Sequence, residues 1–379
     1  MSAIEAIYIA LEDPHDVGSW SGTTFFMARA FEAAGFHLNY IGPLKDRYKL
    51  WNRIKGKIVR MRGWDYSSVG PLKGYARQVE RQLQGMPGRV ILSCGKPQLA
   101  YLRTKLPVIF FDDASVPAMT RLYPGCTNFS PSNQLKLLAA ERLSLEKCRY
   151  ACYMSDWAAD AALAAYGREF ESKIKVIPIG ANMENTPSAE DVEKAIQARE
   201  RGKCNLLFVG VEWVRKGGAI AVAVAGELQK RGVSVRLDIV GCVPPVPVPD
   251  FVKVHGFVSK RTAEGCALMA RLYRESHFFL LPTQAEAYGV VFVEALAHGL
   301  PGLGCRVGGV PTIIQDGVNG WLFPPDAPAS LYADRIQSLL QSPEAYTDLC
   351  RSAFRVAQTR LSWKQFGKSV RELVDQVLD

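Results

Sequence analysis

The strongest constraint in this sequence is its rhythm. A short apolar run rich in β-branched residues is followed by a helical pattern, and the pair recurs along most of the chain. Parallel strands need a crossover between neighbours and are covered by helices on both faces, so this alternation predicts an α/β architecture built on parallel sheets. In the first half the spacing predicts strands near Ile4–Leu11, Leu38–Ile41, Arg89–Ser93, Val108–Phe111, Tyr150–Met154 and Lys175–Ile177. Helices fit Thr23–Ala34, Pro71–Gln84, Asn133–Leu145 and Asp156–Tyr166. A second series runs through Asn205–Val209, Ser234–Val240, Val252–His255, His277–Leu281 and Gly302–Cys305, separated by helices around Gly218–Arg231, Ala263–Tyr273 and Val290–His298.

With 379 residues the chain exceeds one ordinary core and suits two doubly wound domains. Asn182–Cys204 lies between the two series. It carries a charged helix-like stretch, Ala189–Arg201, and reads as an interdomain linker rather than core. Pro244, Pro245, Pro247 and Pro249 make a short stiff loop, and Ser362–Leu378 is an amphipathic helix with Trp363, Phe366, Val370, Leu373 and Val377 at helical spacing. Two such domains are expected to face each other across a cleft, because ligands of these sheets bind beyond the carboxyl ends of the strands.

Composition narrows the function classes. No stretch approaches the roughly 18–20 apolar residues of a membrane span, and the first ten residues lack the pattern of a secretory signal. Nine scattered cysteines fit free thiols in a reducing compartment, so the cytoplasm is expected. Cys148 and Cys152 read as two thiols on a helix face, not half a zinc site. No D-x-D triplet and no cluster with metal spacing occurs, and Gly18-Ser-Trp-Ser-Gly-Thr23 is not the dinucleotide fingerprint. The net charge of +9 is concentrated between Lys45 and Arg62, where eight basic residues meet one acid, Asp46. A nucleic-acid binder spreads basic and aromatic residues over a larger face, so no nucleic-acid partner is expected.

The chemistry concentrates in His277–Pro325. A strand ending at Leu281 is followed by a loop with Glu286, and Gly289 then opens a helix that carries Glu294. A strand, a glycine-containing loop and a helix start aim free N–H groups and the positive end of a helix dipole at one point, which favours a phosphate there. Two flanking carboxylates would repel a bare phosphate but suit hydroxyl groups on either side of a diphosphate. Alternatively, both are surface glutamates.

The run Glu286-Ala-Tyr-Gly-Val-Val-Phe-Val-Glu294-Ala-Leu-Ala-His-Gly-Leu-Pro301 closely resembles the E-x7-E signature of the GT4 family of retaining glycosyltransferases with the GT-B fold. Val307–Pro325, Leu207–Gly217, Ser155–Ala159 and Ile177–Asn182 resemble further blocks of that family, in order and at compatible spacing; Ser19–Ala30 and the terminal helix match more weakly. The resemblance implies two Rossmann-like domains, an acceptor-side domain over 1–182 with helix 362–379 packing back on it, and a donor-binding domain over 203–361. It implies that Glu286 binds donor-sugar hydroxyls, Glu294 the ribose, and that Lys216 neutralises the diphosphate and the charge growing on the leaving group. Gly22, Tyr288, Gly289, Val290 and Val291 would line the donor, and Phe257 or Val258 would touch the base through their backbones. Many relatives place an arginine where this chain has Val211; Arg215 could supply that charge from the other end of the loop. His15 and Asp16 could touch the acceptor or be merely solvated. Retention, no required metal or cofactor, and a UDP-hexose donor are implied by the family. The alternatives are a catalytically silent sugar-nucleotide-binding subunit and a sugar-nucleotide epimerase or hydrolase on the same fold.

Finally, Tyr48, Trp51, Ile54, Ile58 and Met61 recur at three or four residues, and Lys45, Lys49, Arg53 and Lys57 form a row at four. This is a basic amphipathic helix. It suits either peripheral contact with the inner membrane surface and an anionic or lipid-linked acceptor, or a helix whose apolar face packs on the first domain.

Overall fold

The computed structural model describes residues 3–47, 49–200 and 202–379. The chain forms two compact units, Met1–Ile179 with Trp363–Asp379, and Gly180–Ser362. In chain order the first contains β1 (Ile4–Ala10), α1 (Thr23–Ala33), β2 (Phe36–Ile41), α2 (Lys49–Met61), α3 (Leu72–Leu83), β3 (Val90–Cys94), β4 (Val108–Asp112), α4 (Val116–Leu122), α5 (Pro131–Lys147), β5 (Tyr150–Tyr153), α6 (Asp156–Tyr166) and β6 (Ile174–Val176). The second contains α7 (Ala189–Ala198), β7 (Lys203–Val209), α8 (Gly218–Lys230), β8 (Ser234–Val240), β9 (Val252–Gly256), α9 (Ala263–Glu275), β10 (Phe278–Leu281), α10 (Val290–Ala297), β11 (Gly302–Cys305), α11 (Val310–Ile313), β12 (Gly320–Phe323), α12 (Ala329–Leu340) and α13 (Pro343–Thr359). The last helix, α14 (Trp363–Leu378), returns to the first unit.

Each unit holds one six-stranded sheet, ordered β2-β1-β3-β4-β5-β6 and β12-β11-β10-β7-β8-β9, and the registered strand pairs are parallel. The doubly wound α/β expectation is therefore what the structure shows. In the first unit the alternation of side chains splits β1 between two cores. Ile7 and Ile9 join Ile91, Phe110 and Tyr153 in one, while Tyr8 meets Phe31 of α1 on the other. There Phe31 packs tilted against Phe111 and Phe366 at ring distances of 5.3 and 5.6 Å, so α14 closes that face. In the second unit α10 is buried from Phe292 to Ala297, the pattern of a helix that is apolar all round.

Three readings change. The stretch after Asn182 is core, not linker: Val192, Ala195 and Ile196 of α7 are buried, and so is Arg199, whose guanidinium donates to the carbonyls of Gly299 (2.8 Å) and His298 (3.2 Å). Arg201, at the end of that stretch, lies outside the described residues. Cys148 caps α5 and Cys152 sits in β5, so they do not share a helix face. β12 and the helices α12 and α13 were not anticipated. The four residues between Asn319 and Pro324 are too short to show alternation, whereas Tyr346, Leu349, Cys350, Ala353 and Ala357 of α13 do recur at helical spacing.

Candidate active site

In the second sheet the strand order reverses between β7 and β10, and in doubly wound sheets such a switch point is where loops diverge and leave a crevice. The loops leaving these two strands are Gly210–Gly217 and Pro282–Gly289. They are stitched together. Gln284 N–H donates to the Arg215 carbonyl (2.7 Å), Thr283 Oγ1 to the same carbonyl (3.2 Å), and Arg215 Nη1 to the Ala285 carbonyl (2.8 Å). Gly217 has φ +76°, and a Cβ there would stand 2.0 Å from the Pro282 carbonyl oxygen, so only glycine lets the loops close to this distance.

That contact brings Lys216 and Glu286 together as a buried ion pair, with Arg215 Nη1 4.0 Å from the same carboxylate oxygen. Arg215 also donates to Glu212 at 2.6 Å and is mostly buried, whereas Val211 is exposed. Arg215 thus supplies positive charge beside Glu286, but its hydrogen bonds to Ala285 and Glu212 give it a positioning role in the loop. Gly289, at φ +96°, precedes α10 and offers no side chain to cap it. The first-turn amides of Val290 and Val291 therefore stand at the positive end of the helix dipole beside the ion pair. Tyr288 is buried, and Val290 and Val291 are half-buried.

Glu294, one turn further along α10, is fully buried. Lys260 Nζ donates to one of its oxygens and Tyr273 OH to the other at 3.0 Å. Burial, reinforced by this carboxylate, pushes the Tyr273 phenol well above its ordinary value, so it stays a donor. Lys260 is a site residue that sequence reasoning missed. It leaves the segment after β9, and Phe257 and Val258 precede it there, with Phe257 largely exposed. Each carboxylate of the motif thus has its own lysine, which answers the repulsion that two bare carboxylates would exert on a phosphate. The neighbouring His255 is committed elsewhere, its Nε2 lying 2.7 Å from buried Asp238.

Gly22 belongs to the first unit, at the carboxyl end of β1 beside that sheet's own switch between β1 and β3. Trp20 (φ 45°), Ser21 (φ 57°) and Gly22 (φ 93°) run left-handed into α1, which again has no side-chain cap. Left-handed backbone at two non-glycine residues is strain of about 1–3 kcal/mol each and is typical of functional loops. In the same loop Asp16 accepts from Gly18 N–H at 2.8 Å, and His15 lies against Tyr40.

Residues 203–342 match the family model described as glycosyl transferases group 1. Over these residues the second unit is similar to group 1 glycosyltransferases. The whole chain superposes on sucrose-phosphate synthase from Thermosynechococcus elongatus with a TM-score of 0.71 at 18% identity, covering 99% of each chain. It superposes on Anabaena HepE in complex with UDP and glucose with a TM-score of 0.65 at 16% identity, covering 98% of this chain and 99% of that one. The fold is thus of the GT-B type. In sequence the chain is 29% identical over 211 residues to the D-inositol 3-phosphate glycosyltransferase of Segniliparus rotundus, covering 53% of this chain and 46% of the relative. The chain spans about half the length of the curated relatives it matches. Lys216, Glu286 and Glu294 all fall within the matched residues.

Proposed function

We propose that the chain is a retaining glycosyltransferase that moves a hexose from a UDP-sugar to an anionic or lipid-linked acceptor without a required metal. The observation that carries this reading is the Lys216–Glu286 ion pair seated against the uncapped start of α10 at the sheet's switch point. Solved relatives of the fold support the donor class, since HepE was crystallised with UDP and glucose.

In this reading the donor diphosphate lies on the Val290 and Val291 amides, with Lys216 beside it. Glu286 accepts from sugar hydroxyls and Glu294 from the ribose, using carboxylate lone pairs that Lys216, Lys260 and Tyr273 leave open. Transfer breaks the bond between the sugar's anomeric carbon and the β-phosphate oxygen, and the electron pair leaves with UDP. A bond forms from the acceptor oxygen to the same face of the sugar, and the acceptor's proton passes to the departing phosphate. Lys216 and the helix dipole stabilise the charge growing on that phosphate, the electrostatic work a metal performs elsewhere. Nine unpaired cysteines favour a cytoplasmic setting.

Calorimetric titration with a panel of UDP-, GDP- and ADP-sugars tests the reading on wild type and Glu294→Ala. One donor, a UDP-hexose, should bind selectively, and the variant should weaken it about ten- to a hundred-fold, the loss expected for hydrogen bonds to a charged group. No binding to any donor would overturn the proposal. Binding without turnover over an acceptor screen would favour a silent sugar-nucleotide-binding subunit, the reading that Val211 at the usual arginine position keeps open.

A further inference from the structure

Helix α2 is built inside out. At about 100° per residue, Leu50, Trp51, Ile54, Ile58 and Met61 fall on one arc, and Asn52, Gly56 and Val59 lie roughly opposite. The polar side is the one that packs. Asn52 Nδ2 donates to Asp46 (3.0 Å), Ser68 Oγ donates to Asn52 Oδ1 (3.0 Å), and Gly56 is the helix's buried residue. The apolar side faces solvent: Leu50, Trp51 and Met61 are between 67% and 78% exposed, and Ile54 and Ile58 nearly half. Trp64, just beyond the helix, is also exposed. The expectation that this stripe packs on the first domain is therefore overturned. Tyr48, assigned to the same stripe, lies outside the described residues, and Lys45 precedes the helix.

Charge identifies what covers the stripe. Arg53 and Lys57 border one edge and Lys55 the other, and α2 contains no acidic residue. A second copy of this chain would set the same cations against themselves, so a two-fold contact through the stripe is disfavoured. Among the described residues no helix is long and apolar enough to cross a membrane. We propose that α2 lays this stripe into the interface of an anionic lipid bilayer. Its Trp and aliphatic side chains sink about 5–10 Å, and Arg53, Lys55 and Lys57 reach up to the headgroup phosphates. Because the opposite side is fixed to the protein, the helix lies flat on the surface and does not insert end-on.

Co-sedimentation with phosphatidylcholine vesicles, with and without phosphatidylglycerol, tests this on the whole chain. Wild type should sediment with the anionic vesicles only, and added salt should weaken the binding. Arg53→Gln/Lys55→Gln/Lys57→Gln should lower the partition coefficient roughly a hundred-fold, and Trp51→Ser/Ile54→Ser/Ile58→Ser should abolish binding. Both variants should keep the wild-type melting profile and donor binding, since every changed residue is exposed. Absence of binding to anionic vesicles, equal binding to neutral ones, or binding that survives both variants would overturn the proposal. So would concentration-dependent self-association that the serine variant removes, because the stripe would then join copies of the chain.

Discussion

Glu294 accepts from Lys260 and Tyr273 through its side chain, while its own backbone carbonyl accepts from His298 Nδ1–H at 3.0 Å. His298 also stacks on the Tyr273 ring at 4.9 Å, so Glu294, Lys260, Tyr273 and His298 form one closed group. Burial pushes the His298 imidazole down to about 4, and it does the same to His277. His277 takes a hydrogen bond from Asn205 N–H (3.0 Å) and gives one to the Glu200 carbonyl (3.1 Å), so its neutral ring is satisfied on both nitrogens. Both groups bind a proton more readily when unfolded, where the ordinary value is 6.5. Their contribution is complete above pH 6.5 and is lost as pH falls towards 4, about 3 kcal/mol for each. Urea unfolding should therefore show stability falling between pH 6.5 and 4, with a shallower slope in His277→Gln/His298→Gln. A flat wild-type profile in that window would contradict it. At this scale the sequence was half legible. Glu286 and Glu294 stand out through the resemblance of their run to the GT4 signature, but Lys260 does not, because its partner lies 34 positions away and only the packing of the segment after β9 against α10 brings them together.

Among the elements, α7 shows best how composition conceals structure. Its charged residues read as a linker, yet Ser188 caps it with a reciprocal bond to Asp191 and its apolar side is buried. Arg199 then fastens it to the turn after α10 and, through Tyr346 (3.3 Å) and Cys350 (3.2 Å), to α13. Arginine ordinarily marks a surface, and nothing local says that this one closes a core. Arg199→Met should destabilise the second unit by about 2–4 kcal/mol, because two buried carbonyls lose their donor. Arg199→Lys should not restore the loss, since one ammonium cannot span the fork of partners. Chemical denaturation followed by a probe in the second unit would measure both. The strand–helix rhythm, by contrast, locates eleven of the twelve strands among the described residues, because buried parallel strands carry apolar runs that loops do not.

For the molecule as a whole, the informative element is α14. Phe366 is buried between Phe31 and Phe111, and Val370 and Val374 are fully covered. Phe366→Ala should cost about 3–5 kcal/mol, confined to the first unit. In calorimetry one of two transitions should move to lower temperature while the other stays; a shift of both would mean that the units unfold together. The amphipathic spacing of this helix was legible in the sequence, but its place was implied only by resemblance, since no local pattern says which of two cores a final helix joins. That placement also sets an order of events on the ribosome. The second unit is one uninterrupted stretch, whereas the first is missing a wall of its core until α14 emerges. At about 5–20 residues per second, translating the intervening unit takes roughly 10–40 s. Throughout that time the nascent first unit lacks Phe366 over Phe31 of α1 and Phe111 of β4, a window in which a chaperone's grip would count most.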